Sequence, residues 1–323
     1  METKKVHVYI TTYNRIEYFK LAIESILNQS ISNFDLTILD NCSNDGTEQY
    51  VYSLNDTRIK YIRHSKNIGG IGNISYAFNH CGDSEYFVVV HDDDVLHKDF
   101  LAKELAYMEN NKDCVAVSSL ANTIDGDGKL IYIAKNWEKK YTFHGQEFFT
   151  EYLHNQSNLI FPATLYRTNF IIENRIDISS KPGPCADIVL YMDIEKCGGT
   201  IAIIPETLID YRVYKNQDSS SHLEEMLIEL MRYLSNDVYY GKLLCEDLVG
   251  RKKYFGWYLR RLIAREASEC IKYQNANQYL EEMNVALGNP YRNVRAYTLV
   301  LKILDMFPYF AQFIYRIVKK VKV

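Results

Sequence analysis

The chain has 323 residues, 47% of them hydrophobic and 24% charged, the balance of a folded globular protein with an ordinary core. A net charge of −4 and a pI near 6.1 exclude a general nucleic-acid-binding surface, so no nucleic-acid partner is expected. Seven scattered cysteines contain no Cys-x-x-Cys pair, which excludes a zinc ribbon or thioredoxin-type site and predicts reduced thiols in a cytoplasmic protein.

This length predicts one large α/β domain with an appendage, or two domains. METKKVHVYI runs straight into a strand-like segment, so no secretory signal is read there. No uncharged apolar run reaches the roughly 18 residues of a membrane-spanning helix. Residues 6–10 (VHVYI) form the first predicted strand. Residues 16–28 form a helix with Ile16, Phe19, Ile23, Ile26 and Leu27 at helical spacing. Strands follow at 36–39, 58–63 and 86–90, separated by helices running to Leu54 and over 71–81. Strand and helix alternating with short loops predict a parallel sheet covered by helices.

The fourth strand, YFVVV, is apolar on both faces and belongs in the middle of such a sheet. Ligands bind these sheets at the carboxyl ends of the strands. At that end stands HDDD, His91 to Asp94. Adjacent carboxylates repel, and a hard divalent cation with phosphate and water as further ligands turns repulsion into attraction. The alternative is a solvated acidic turn capping the next helix. Beyond residue 115 the pattern loosens, with strands at 115–119, 159–166 and 200–204 and helices at 145–155 and 186–197. After the polar tract NQDSSSH the texture is helical, which places a boundary near 220: residues 1–220 and 221–323.

The other strand ends carry polar loops. TTYNR ends the first strand, with Asn14 as a helix cap or as part of an anion site at the helix terminus. DNCSNDG ends the second strand, where Asp40 and Asn41 either read a base edge or ribose or form an Asx-rich turn. KNIGGIGN precedes the third helix and matches neither GxGxxG nor a P-loop.

Together TTYNR, LDNCSNDGT, KNIGGIGN and HDDDVLHKDFL, with AIESILNQ on the first helix, resemble family 2 glycosyltransferases over residues 5–215. The resemblance implies a GT-A fold: Rossmann-like α/β with a mostly parallel central sheet flanked by helices, here followed by a C-terminal helical region. It implies transfer of a sugar from a nucleotide diphosphate sugar, a UDP-sugar by preference, to a hydroxyl of a glycan or lipid-linked glycan, with inversion and with Mn²⁺ or Mg²⁺. Thr11, Tyr13, Arg15, Asp40, Asn41, Asn67, Gly69 and Asp92 fall at nucleotide-binding positions. Asp93 and Asp94 fall at metal positions, while His91 stands where relatives carry an Asp and is read as a hydrogen-bonding partner. Asp187 matches the catalytic base, although an N-cap or first-turn Asp is its plain reading. Asp193 and Glu195 behind it read as outer-face charges. Tyr211-Arg212-Val213-Tyr214 replaces a Tyr-Arg-x-His segment, leaving Arg212 as a phosphate candidate and His222 as a substitute for the missing histidine. A nucleotidyltransferase and a non-catalytic nucleotide-sugar-binding scaffold are the rival readings.

In the last hundred residues, RKKYFGWYLRRLIAR (251–265) and the stretch 296–323 combine basic and aromatic residues. They read either as contacts to the inner leaflet of a membrane or as helices packing their apolar faces within the protein.

Overall fold

In the computed structural model, residues 4–133, 141–156, 158–179, 181–214, 223–269, 276–291 and 294 are described. They form two compact units. The first takes residues up to Phe148 and Asn158–Gln217. The second takes Phe149–Ser157 and the chain from Asp218 onward, so it includes a short segment that a division at 220 leaves with the first.

The first unit is built on a sheet of ten strands among the described residues. The strands are β1 (Val6–Thr12), β2 (Phe34–Asp40), β3 (Ile59–Arg63), β4 (Tyr86–His91), β5 (Val95–Leu96), β6 (Cys114–Ile124), β7 (Leu130–Tyr132), β8 (Thr142–Phe143), β9 (Thr164–Arg167) and β10 (Thr200–Arg212). The main path runs β3-β2-β1-β4-β9-β6-β10-β5. The first four strands on it are mutually parallel. β9 enters antiparallel between β4 and β6, and β10 returns parallel to β6. β4 has neighbours on both sides, and Val88, Val89 and Val90 are fully buried, as expected for a strand apolar on both faces.

The helices of this unit are α1 (Ile16–Leu27), α2 (Thr47–Ser53), α3 (Gly70–Asn79), α4 (Phe100–Asn110), α5 (Glu147–Asn155), α6 (Thr168–Glu173) and α7 (Ala186–Lys196), with α5 carrying the chain into the second unit. The apolar stripe of α1 behaves as its spacing predicts: Phe19, Ile23 and Ile26 are fully buried in the core with Val8, Ile10 and Leu36. The predicted strand 159–166 is instead a short 3-10 turn, Phe161–Ala163, followed by β9. Pro162, which has no N–H to give a ladder, sits in that turn.

α7 ends in a Schellman motif. Gly198 adopts φ +85°, its N–H donates to the Glu195 carbonyl, and the Gly199 N–H donates to the Ile194 carbonyl. The motif reverses the chain into β10, which carries Arg212 to the site. Glu195 is not the outer-face charge the sequence suggested. It is 3% exposed, and its carboxylate accepts the Phe148 N–H at 2.8 Å. Asp193 pairs with Lys181.

In the second unit the described helices are α8 (Leu223–Asn236), α9 (Val238–Glu246), α10 (Leu248–Glu269) and α11 (Ala276–Ala286). α10 carries the basic-aromatic sequence, and its Tyr254, Phe255, Tyr258 and Leu262 are buried. The Tyr258 hydroxyl donates to the Glu224 carbonyl, and Phe255 packs on Tyr291. Those side chains pack within the unit, while Trp257 is half-buried and Lys252, Lys253 and Arg260 are exposed. The stretch 296–323 lies outside the described residues. No described helix is long and apolar enough to cross a membrane.

A Cβ at Gly199 would stand 2.5 Å from Val115 Cγ2 and 2.8 Å from both Ile194 Cγ2 and Phe170 Cζ. Gly199→Ala is therefore expected to destabilise the first unit by about 2 kcal/mol, the cost of overpacking a close-packed site. Chemical denaturation of the variant beside the wild type measures it.

Candidate active site

The site is assembled at the carboxyl ends of β1, β2 and β4, with the last residues of β10 joining it. At the end of β4 the chain turns through Asp92, Asp93 and Asp94, which are 3%, 4% and 0% exposed. Three neighbouring carboxylates this deeply buried need partners, because desolvation disfavours their charged forms. Asp92 and Asp93 share one, and each of the three has a further one of its own. Asp92 accepts the Tyr13 N–H at 3.2 Å and an Arg15 guanidinium N–H at 3.2 Å. Asp93 Oδ2 accepts the same Arg15 nitrogen at 3.0 Å and the Tyr214 hydroxyl at 3.1 Å. Asp94 Oδ1 accepts the Arg212 backbone N–H at 2.9 Å. One arginine thus neutralises two of the three carboxylates. Burial still pushes Asp92 up to about 7, with Arg15 opposing, and raises Asp94 well above the usual carboxylate range.

Tyr214 occupies the position of the missing histidine. Burial and the Asp93 charge raise its phenol, so it keeps its proton and donates to Asp93. Arg212 is not poised for a phosphate. It is 2% exposed, and its guanidinium donates to the carbonyls of Asp93, Asp125 and Gly126 while stacking over Tyr18. Its role is to lock the acidic turn to the end of β10. His222 lies outside the described residues.

The TTYNR loop is held by the second strand's loop. Asn14 does not cap α1. It has φ +50°, donates its N–H to Ser43 Oγ and accepts the Asn44 N–H on its side chain. The first free N–H of α1, that of Ile16, is taken by Asp45 Oδ2 at 2.8 Å. Sequence reasoning missed Asp45 because its target lies 29 residues away. Thr11, at the end of β1, is paired in register with Leu39 and His91, and Tyr13 is 41% exposed.

Asp40 and Asn41 have their polar atoms turned to protein partners. Asp40 accepts the Ser43 N–H and the Tyr61 hydroxyl, with Arg63 Nε at 3.8 Å. Asn41 donates to Asn67 Oδ1 at 2.9 Å and to the Gly69 carbonyl, and accepts the Ile68 N–H. Asn67 Oδ1 also accepts the Gly69 N–H at 2.7 Å. These residues therefore build the KNIGG loop, and Gly69 supplies the positive φ of +79° that its turn into α3 requires.

Within the HDDD segment, His91 Nε2 and Asp94 Oδ2 are buried without a hydrogen-bond partner among the described residues. His91, Asp93 and Asp94 each offer a ligand atom, all within 4.8 Å of one another. His91 Nε2 makes no hydrogen bond among the described residues, so the hydrogen-bonding role expected of His91 has no protein partner at that nitrogen. Orphaned buried acceptors beside a carboxylate are what a divalent cation satisfies, so the residues fit such an ion.

Asp187 sits in the first turn of α7 and is half-buried, with Asn158 Nδ2 at 3.5 Å and the Ile188 N–H at 2.9 Å. Burial of its carboxyl raises it to about 6. Its charge is felt by Tyr166 and Tyr191, whose hydroxyls lie 3.3 Å apart. An aromatic row runs from there to the acidic turn: Tyr166 packs on Phe161, and Phe161 on His91, with ring centroids 6.4 and 5.7 Å apart.

Residues 7–172, just over half of the chain, match the sequence profile of Glycosyl transferase family 2. The chain belongs to this family. A glycosyl transferase family 2 domain thus spans β1 to α6, and the protein is a glycosyltransferase. It is 26% identical over 263 residues to the uncharacterized glycosyltransferase MJ1057 of Methanocaldococcus jannaschii, covering 77% of this chain and 88% of that one. Its fold matches S. aureus TarS 1-349 in complex with UDP-GlcNAc, with a TM-score of 0.62 and 16% identity over 95% of this chain and 87% of that one. It also matches the mannosyltransferase PcManGT of Pyrobaculum calidifontis, in complex with GDP-Man and Mn²⁺, with a TM-score of 0.54 and 15% identity over 94% and 87%. These likenesses establish the GT-A fold, with helices following the α/β unit.

Arg212→Ala is expected to cost about 3 kcal/mol of stability, because it removes charge-assisted hydrogen bonds to three carbonyls, that of Asp93 buried and those of Asp125 and Gly126 partly so. Arg212→Lys should recover only part, since one ammonium cannot serve both Asp93 and the 125–126 turn. Urea unfolding of both variants checks this.

Proposed function

We propose that the protein transfers a sugar from a UDP-sugar to a hydroxyl of a glycan or lipid-linked glycan acceptor, with inversion and with Mn²⁺ or Mg²⁺ held by Asp93 and Asp94. The observation that carries this reading is the pairing of a cation-fitted acidic turn with a separate carboxyl, Asp187, raised to about 6. The two are joined by one aromatic row, and the separation of their environments assigns different roles to them.

The nucleotide is placed over the loops after β1, β2 and β3. Thr11, Tyr13 and the KNIGG loop with Asn67 and Gly69 form its cradle. Asp40, Asn41 and Asp92 act through the loops they hold rather than as open donors and acceptors. A bound divalent cation supplies positive charge where the diphosphate departs. Arg15, a third exposed and already at the acidic turn, adds a second positive charge there. Asp187 accepts the proton of the acceptor hydroxyl as that oxygen bonds to the anomeric carbon and the bond from that carbon to the diphosphate breaks. The two relatives bound to nucleotide sugars, UDP-GlcNAc in one and GDP-Man with Mn²⁺ in the other, support a donor of this class.

A base must be unprotonated to act. With its pKa raised to about 6, Asp187 loses competence as pH falls through that value. kcat/KM should therefore rise tenfold per pH unit below about 6 and level off above it. Asp187→Asn should lower kcat by about a thousandfold, within the range of general-base contributions, while UDP affinity is unchanged. Turnover of the variant within tenfold of wild type would remove Asp187 from the role. UDP-sugar consumption followed across pH 4.5–8 measures both effects.

A further inference from the structure

His91 is the residue of the acidic turn that the sugar-transfer chemistry leaves without a task. It is the last residue of β4, and the chain turns directly after it through Asp92 and Asp93. One face of its ring packs toward Phe161, 5.7 Å between centroids. Its Nε2 is buried and accepts or donates no hydrogen bond among the described residues. The second orphan, Asp94 Oδ2, belongs to a side chain that is fully buried. Asp94 is held by the Arg212 N–H on its other oxygen, which leaves Oδ2 unpartnered. His91, Asp93 and Asp94 each offer one ligand atom, and these lie within 4.8 Å of one another. Ligands on one octahedral ion with bonds of about 2.1 Å stand about 3 to 4 Å apart, so modest side-chain rotation closes the set.

We propose that His91 is a nitrogen ligand of the metal site and makes it select Mn²⁺ over Mg²⁺. The inference rests on the reading of the acidic turn as a cation site and adds to it the identity of the ion. Mg²⁺ is a hard ion that takes oxygen donors and gains little from imidazole. Replacing a carboxylate by imidazole also removes one negative charge, which weakens a purely electrostatic hold on any divalent ion. Mn²⁺, a transition ion, gains affinity from an imidazole nitrogen, less than the later first-row ions do, and Mg²⁺ gains less again.

Pulsed electron paramagnetic resonance of Mn²⁺ bound to the full chain with UDP tests this directly. The wild type should show ¹⁴N hyperfine coupling from a bound imidazole, converted to ¹⁵N coupling when histidine is ¹⁵N-labelled. His91→Asp should abolish the coupling and lower the ratio of Mn²⁺ to Mg²⁺ affinity by at least about tenfold, measured by competition. Mn²⁺ bound in the presence of UDP without nitrogen coupling would overturn the role of His91 and leave the metal site standing. An unchanged affinity ratio in His91→Asp would do the same. Failure of the wild type to bind either ion in the presence of UDP would overturn the metal site and this proposal together. The labelled wild type decides the matter even if the variant does not fold.

Discussion

Three carboxylates in sequence, each less than 5% exposed, set the terms for the rest of the catalytic unit. Neighbouring carboxylates repel, and burial raises the cost of each charge. The fold answers by drawing donors from separate strand ends. The loop after β1 gives the Tyr13 N–H and Arg15, and the end of β10 gives the Arg212 N–H and the Tyr214 hydroxyl. The turn can exist only when β1, β4 and β10 are all in place, so the site and the sheet are one structural problem. Arg212, threaded between the carbonyls of Asp93 and of the 125–126 turn, is the fastening between them.

Much of this was legible in the sequence because local pattern and tertiary position coincide there. VVV marked the centre of the sheet, since a strand apolar on both faces has nowhere else to be stable. The alternation of short strands and helices up to residue 90 gave the parallel half. The motifs of four strand ends gave the family. What local pattern did not carry was the identity of distant partners. β9 runs antiparallel between β4 and β6, and nothing in TLYR states its direction. Glu195 reads as a surface charge until the Phe148 N–H, 47 residues earlier in the chain, is seen to need an acceptor.

The same limit shaped the reading of the site. Asp40 and Asn41 stand where ligand-binding residues are expected, yet their oxygens and amide are taken up by Ser43, Tyr61, Asn67, Ile68 and Gly69. Short polar side chains at a strand end serve either a ligand or the adjoining turn, and composition does not separate the two. Arg212 and α10 teach the converse lesson. A guanidinium beside a diphosphate site and an aromatic-basic helix both suggest contact with something outside the chain, and in both the polar or apolar atoms face inward. His91 was legible only as a departure from the family pattern; its orphaned Nε2 gives that departure a physical meaning.

The central claim is that the acidic turn holds a divalent cation that in turn helps hold the nucleotide diphosphate. Calorimetric titration of UDP into the protein, with and without Mn²⁺ and with wild type beside Asp93→Ala, tests it most directly. The account predicts that Mn²⁺ tightens UDP binding by at least about tenfold, roughly 1.4 kcal/mol, and that Asp93→Ala removes this gain. UDP bound equally well without Mn²⁺, or a full metal gain retained by Asp93→Ala, would contradict it.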